Sequence, residues 1–108
     1  MAMLNGQTQD MINILVEDVI DGSPTNIVFT HNLDFAVNHL KPRVECSLRG
    51  AGMDVKSISP CILECEGSTI MFVSVKQPVN VLRGLRGSHY VDHFCVEEYE
   101  QLEIPHDM

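Results

Sequence analysis

The sequence has little positive charge, no long apolar run and no basic segment followed by an apolar core. Seven lysines and arginines stand against fifteen aspartates and glutamates, a formal charge of −8. Binding to phosphate backbones needs clustered cations, so we expect no autonomous nucleic-acid binding. The missing apolar segments argue against a membrane-spanning chain and a secretion signal, and we therefore expect a cytoplasmic protein.

The size and the hydrophobic content are those of one small domain. A chain of 108 residues with 44% hydrophobic residues can bury a core, and a second folded unit would not fit. Thiols stay reduced in the cytoplasm, so we expect free cysteines that act as small buried hydrophobic residues. The four cysteines are Cys46, Cys61, Cys65 and Cys95.

Hydrophobic periodicity predicts two main helices. The first covers residues 8–21, with Thr8 as its N-cap, and it stops at Gly22. The second begins after the cap residue Asn32 and runs to about Arg49. Because proline lacks a backbone N–H and its ring clashes with the preceding turn, Pro42 predicts a kink or a break near Leu40.

Short β-branched and aromatic runs predict the strands. TNIVFT over residues 25–30 indicates a buried strand, and residues 61–75 predict an antiparallel hairpin that turns at Glu66-Gly67. SHYVDHFCV predicts a last strand, and the acidic tail over residues 97–108 is expected to be a short helix or frayed. The predicted fold class is α/β, a small mixed sheet with a β-hairpin and two main helices.

Five short strings occur in an informative order. They are NGQT at the start of the first helix, IVFTHN after that helix, GSTIMFVS in the hairpin, then LRGLRG and YVDH. Over about residues 5–98 this order resembles a truncated, degenerate P-loop NTPase core, and more narrowly the terminase and helicase-like ATPases of phages. The resemblance implies a phage-encoded protein in the host cytoplasm, a P-loop-like fold fragment, and ATP with magnesium as the possible cofactors.

The resemblance also marks candidate nucleotide-binding residues. Gly6 and Thr8 match the glycine and the threonine of the phosphate-binding loop, whereas Gln7 replaces its lysine. Asp92 matches the aspartate that holds magnesium, and His93 replaces the neighbouring glutamate. Two arginines near the aspartate-bearing strand complete the set, namely Arg83 and Arg86. The simpler interpretations are a helix cap for Thr8 and a strand-end hydrogen bond for Asp92.

The departures from the family pattern favour binding over catalysis. Gln7 carries no charge, so stabilisation of a γ-phosphate would be severely weakened. The strand that precedes the loop in the family has no counterpart, which predicts an exposed sheet edge. We therefore expect a noncatalytic interaction protein that forms a homodimer or binds a larger host or phage partner, such as a nucleic-acid enzyme. The alternative is a weak or partner-completed nucleotide hydrolase that uses Thr8 and Asp92 for magnesium.

A zinc site is the remaining alternative. If SHYVDHFCV were one strand, His93 and Cys95 would share a face, and Cys61 and Cys65 of the hairpin would share another. The spacing of these four residues is not that of paired ligands in a tight turn. We therefore expect no zinc and no other resident cofactor.

Overall fold

The computed structural model describes residues 2–103, and it describes side chains from Gln7 onward. Each element below is given with its bounds, in chain order. They are helix α1 (Ala2–Ile20), strand β1 (Thr25–Thr30), helical turn α2 (Leu33–Phe35), a π-helical turn (Ala36–Leu40), helix α3 (Lys41–Gly50), strands β2 (Val55–Ser59), β3 (Ile62–Cys65) and β4 (Ser68–Ser74), helix α4 (Val79–Arg83), strand β5 (Ser88–Val91), a 3-10 turn (His93–Cys95) and helix α5 (Val96–Gln101).

Helix α1 follows the predicted periodicity but begins earlier than expected. Ile12 and Leu15, which are nearly one turn apart, are fully buried. The helix starts at Ala2 and continues through Asn5 and Gly6 despite their low helix propensity, so the prediction that Thr8 is its N-cap is wrong. The helix ends before Gly22, whose φ of 97° is the conformation in which glycine commonly terminates helices.

The second helical segment contains the irregularity that proline predicts. Asn32 caps its start, as predicted, by accepting a backbone N–H at 2.7 Å. A π-helical turn over Ala36–Leu40 then precedes α3, and the backbone N–H of Lys41 reaches the carbonyl of Ala36, five residues back. Pro42 stands at the beginning of α3, where its missing N–H is tolerated. The wider turn lets the helix continue in place of a full break.

The hairpin forms as predicted and gains a third strand that the sequence did not predict. Strands β3 and β4 pair antiparallel across Glu66 and Gly67, which both have positive φ, as tight hairpin turns require. Strand β2 pairs antiparallel with β3, with an irregularity between Ser57 and Ser59. Its sequence, VKSIS, lacks a clear apolar face, and three of its five residues are correspondingly exposed.

The last predicted strand is much shorter than expected. Strand β5 ends at Val91, and a 3-10 turn over His93–Cys95 replaces the rest of the predicted strand. The chain then enters α5, so the acidic segment from residue 97 begins as a short helix, with Tyr99 buried. The final part of the predicted tail, residues 104–108, lies outside the described residues.

The sheet is mixed, with the order β2-β3-β4-β1-β5. Strand β1 pairs parallel with both β4 and β5, and β3 pairs antiparallel with β4 and β2. This arrangement confirms the α/β class and the mixed sheet with its hairpin. No helix over residues 2–103 is both long enough and apolar enough to cross a membrane.

Helices cover both faces of the central strands β1 and β4, most of whose residues are buried. Val28 and Phe72 belong to one hydrophobic cluster, which includes buried residues of α1 and α3. Phe29 and Val73 belong to a second cluster, which includes buried residues of α4 and α5. The alternation of Val28 and Phe29 toward opposite clusters follows from the two-residue period of a strand. The strand ends are the places where this layered structure opens.

Candidate functional site

The candidate site lies where β1 and β5 end side by side. These strands are adjacent and parallel, so His31 and Asp92, which follow them, emerge at the same edge of the sheet. The chain after β1 turns to the face covered by α1 and α3, and the chain after β5 turns to the face covered by α4 and α5. Diverging connections from neighbouring parallel strands open a crevice, which is where open α/β sheets bind ligands.

A pocket of about 370 Å³ occupies this crevice. We call it the strand-end pocket, and the residues that line it are His31, Asn32, Phe35, Asp92 and Phe94. Neither lysine nor arginine is among these described lining residues. The lining thus combines two phenylalanine rings with three polar side chains, a composition typical of small-molecule sites.

Asp92 is the chemically unusual residue of the pocket. It is 1% exposed, and its Oδ1 atom accepts a hydrogen bond of 3.1 Å from the Thr8 hydroxyl on α1. Its Oδ2 atom is buried and has no hydrogen-bond partner among the described residues. Burial raises the pKa of the carboxyl. The Thr8 hydroxyl, the backbone N–H of His93, and the charges of His93 and Arg43 act in the opposite direction.

His31 brings a second buried acceptor or donor to the pocket. Its Nδ1 atom is buried without a hydrogen-bond partner among the described residues, although the ring as a whole is partly exposed. The side chain of the next residue, Asn32, is occupied as the cap of α2. Phe35 and Phe94 face each other edge to face, with ring centroids 6.4 Å apart. Unsatisfied buried polar atoms are uncommon in native proteins, so two in one pocket indicate a site for a ligand.

The residues predicted to form a phosphate-binding loop lie within a helix instead. Gly6, Gln7 and Thr8 all lie inside α1, where backbone N–H groups bond four residues back, so they form no amide cradle for phosphate. Gln7 is exposed and lines a different surface, and Thr8 is buried against Asp92. The structure thus brings together Thr8 and Asp92 of the predicted set, without the loop that the resemblance implied.

The two predicted arginines lie away from Asp92. Arg83, at the end of α4, donates to the carbonyl of Leu102 at 3.0 Å and lies 4.0 Å from the Glu103 carboxylate. Arg86 is exposed and precedes β5, whereas Asp92 follows it, so the two residues lie at opposite ends of that strand. Neither arginine lines the strand-end pocket. A role for them at a phosphate bound beside Asp92 does not fit this arrangement.

The structure also separates the four candidate zinc ligands. Cys65 lies in the hydrophobic cluster on the α1 and α3 face, Cys95 lies in the cluster on the opposite face, and His93 is exposed. Cys61 is partly buried in the turn before β3. The premise of one continuous strand was wrong, because β5 ends at Val91. Among the described residues no group of three or more histidine, cysteine or acidic side chains is placed to hold a metal.

The prediction that the cysteines are buried is confirmed for two of the four. Cys65 and Cys95 are buried, Cys61 is partly buried, and Cys46 is exposed on α3. All four are free thiols. Burial raises the pKa of Cys95 to about 12, with the carboxylates of Asp92 and Glu98 adding to the effect, so this thiol is not an activated nucleophile.

A second concave surface runs beside the edge strand β5. We call it the α1/β5 groove; it has a volume of about 500 Å³ and is lined by Gln7, Asp10, Met11, Ile14, Asp18 and Ser88, His89, Tyr90, Val91. The Tyr90 hydroxyl donates to Asp18 at 2.6 Å and lies 3.1 Å from the Asn26 amide oxygen. These contacts tie α1 to the two neighbouring strands and hold the walls of the groove in place.

Four residues of the pocket lie outside the predicted site residues, namely His31, Asn32, Phe35 and Phe94. A usable signal was present, because polar residues that directly follow a buried strand such as TNIVFT often lie at the ligand-binding edge of a parallel sheet. The proximity of the two aromatic rings depends on packing between α2 and the 3-10 turn and has no local sequence signal. Comparison of the chain with protein-family models, with curated proteins and with solved structures finds no match.

Proposed function

We propose that the protein is a noncatalytic interaction protein that binds an extended segment of a larger partner along the edge strand β5. The observation that carries this proposal is the α1/β5 groove beside a sheet edge that pairs with no other strand of residues 2–103. The backbone N–H of Asp92 bonds inward to Phe29, so alternate residues, Val91 among them, turn their backbone groups outward. An added strand would bond to those groups.

The other sheet edge, β2, is less suited to strand addition. It carries Lys56, an irregular register between Ser57 and Ser59, and Pro60 directly after it. A charged lysine, a bulge and a proline are the features with which proteins protect sheet edges from pairing. Strand β5 has none of the three.

The chemistry of the groove favours a basic partner. Asp10 and Asp18 line it, and the apolar side chain of Ile14 is 55% exposed within it. An extended segment that alternates lysine or arginine with apolar residues would complement this surface. Two copies of this chain would instead bring the same carboxylates together in a protein of charge −8. The partner is therefore a different protein, such as the nucleic-acid enzyme expected from the acidic charge of the chain.

A site-specific crosslinking experiment tests this function. A photoactivatable residue replaces Ile14 in one variant and Ile58, on the β2 edge, in the control; the two side chains are 55% and 57% exposed. We expect the Ile14 position to capture one basic segment, identified by mass spectrometry, and a further Ile14→Glu variant without the crosslinker to lose that partner in a pull-down. Equal capture at both positions, or capture only of a second copy of this chain, would contradict the proposal.

A second candidate function is weak binding of a magnesium nucleotide. It is favoured by the contact between Thr8 and Asp92, the two residues that the resemblance assigned to magnesium. The unpartnered Oδ2 of Asp92 fits a metal ligand, whereas the amides of Gly6 to Thr8 do not fit a triphosphate. Calorimetry with ATP and magnesium tests it: saturation at about 100 times the dissociation constant should stabilise the fold by about 2.7 kcal/mol. No heat and no shift in melting temperature would exclude this function.

A further inference from the structure

The strand-end pocket contains two buried polar atoms that the protein itself does not satisfy. Oδ2 of Asp92 and Nδ1 of His31 both lack a hydrogen-bond partner among the described residues. When the carboxyl is ionised, Oδ2 accepts hydrogen bonds and cannot donate one, and Nδ1 accepts when the imidazole carries its proton on Nε2. A ligand that satisfies both atoms must therefore present at least two donors.

Arg43, whose charge acts on Asp92, does not donate a hydrogen bond to Oδ2. Its guanidinium nitrogen Nη2 instead donates to the Gln9 side chain at 2.7 Å. The Thr8 hydroxyl uses only the other oxygen of Asp92. No side chain among residues 7–103 therefore donates a hydrogen bond to Oδ2. Because less than 1 Å² of this atom is accessible, a donor from outside the chain reaches it when side chains of the pocket shift.

The walls of the pocket restrict the shape and the charge of that donor. Phe35 and Phe94 meet edge to face, and Phe94 is 49% exposed, an unusual setting for so large an apolar ring. Aromatic faces attract cations, and they attract planar cations by stacking as well. An anion would be repelled by the Asp92 carboxylate. A hydrated ammonium is less suited than a guanidinium, which is planar, weakly hydrated and rich in donors.

We propose that the strand-end pocket binds a guanidinium or amidinium group, which donates hydrogen bonds to Asp92 Oδ2 and His31 Nδ1 while its flat face lies against Phe94. The group belongs either to a free small molecule or to an arginine side chain of a protein. The site is distinct from the α1/β5 groove and does not depend on strand addition at β5.

Heteronuclear NMR titration of the intact protein tests the proposal. Methylguanidinium is the probe, and methylurea, which has nearly the same shape but no charge, is its matched control. We expect methylguanidinium at millimolar concentration to shift amide resonances of residues 31–35 and 92–95 in a saturable way, and methylurea to bind at least tenfold more weakly. Equal binding of the two probes, or no localised shift with methylguanidinium, would overturn the proposal.

Three variants test which side chains bind methylguanidinium. Asp92→Asn keeps the shape and an acceptor for Thr8, and it should weaken methylguanidinium binding at least tenfold. Asp34→Asn removes an exposed carboxylate that does not line the pocket, and it should leave binding within twofold. Phe94→Ala, at a half-exposed position, should weaken binding severalfold without unfolding the chain. Unchanged binding in Asp92→Asn would refute the proposed contact.

Two further arms distinguish the sources and the competing ligand. Free L-arginine and a short arginine-containing peptide are titrated separately, since tighter binding of the peptide indicates a protein source and tighter binding of the amino acid a small-molecule source. Magnesium chloride is titrated alone. If magnesium, and not methylguanidinium, shifts the resonances around Asp92, the pocket holds a metal and the guanidinium proposal is wrong.

Discussion

The Thr8 hydroxyl donates to Asp92 Oδ1 across 3.1 Å, between residues 84 positions apart in the chain. The contact joins the middle of α1 to the end of β5, and Thr8 is itself 2% exposed. A buried carboxylate is costly unless it is hydrogen-bonded, and here only one of its two oxygens is satisfied. This half-satisfied carboxylate is the feature on which the stability and the binding predictions depend.

Asp92→Asn should increase stability at neutral pH. The pKa of Asp92 is raised by burial, so between the unfolded value of 3.8 and the folded value the native state binds more protons, and the free energy of unfolding falls as pH rises. Once the carboxyl is ionised in the folded state, its burial therefore lowers stability, although Thr8, His93 and Arg43 reduce this effect. Urea denaturation across pH 3 to 8 should show the variant more stable at pH 7, with the difference shrinking toward pH 3. A variant less stable at pH 7 would contradict this; Asp34→Asn is the control.

Thr8→Val should destabilise the fold by about 2 kcal/mol, because a buried hydrogen bond to a charged group is lost. The shape is nearly conserved, so packing changes little. Thr8→Ser keeps the hydroxyl and serves as the control, with a smaller loss. Combination with Asp92→Asn in a double-mutant cycle measures the coupling between the two side chains by chemical denaturation. Additive effects would show that the hydrogen bond contributes nothing.

Gly87→Ala should destabilise by about 2 kcal/mol or more. Gly87 has a φ of 141°, and an added Cβ would lie 2.6 Å from the backbone oxygen of Thr25, where β5 joins β1. Gly84→Ala is the control, since its Cβ would meet nothing closer than 3.5 Å, and it should change stability by less than about 1 kcal/mol. Thermal melts of both variants make the comparison. Similar melting temperatures would show that Gly87 is not required at the start of β5.

Tyr90→Phe should cost about 1 to 3 kcal/mol, since the Asp18 carboxylate loses its hydrogen-bond donor. Burial and the hydrogen bond to Asp18 raise the pKa of Tyr90 from 10.0 to about 12. The folded state therefore holds its proton longer than the unfolded state, and the stabilising effect of this tyrosine is lost as pH rises from 10 to 12. Denaturation at pH 9 to 12 should show a shallower decline in the variant than in the unchanged protein. The same slope in the variant and in the unchanged protein would exclude Tyr90 as the source of this pH dependence.

Local patterns were sufficient for much of the fold. The buried run TNIVFT forms β1, Asn32 caps the following helical turn, and Glu66-Gly67 turns the hairpin. Pro42 correctly predicted an irregular turn near Leu40. Each of these depends on interactions within a few residues, so the sequence window contains the information that decides it.

Other predictions failed because distant contacts decide them. Thr8 has the chemistry of a cap, but a helix that starts at Ala2 places it in the interior, where Asp92 is its partner. The last strand stops at Val91, because the chain then turns and buries Cys95 against the far face of the sheet. Strand β2 forms because the hairpin offers an edge to pair with. Neither the end of β5 nor the existence of β2 has a strong local signal.

Side-chain periodicity and turn chemistry therefore decided the element types and the α/β class, and composition decided the acidic surface. Only tertiary structure decided the candidate site. The parallel pairing of β1 with β5 places His31 beside Asp92, and the connections that leave these strands toward opposite faces open the pocket between them. Sheet order is set by the burial of both faces across the whole chain, and no short segment of the sequence contains that information.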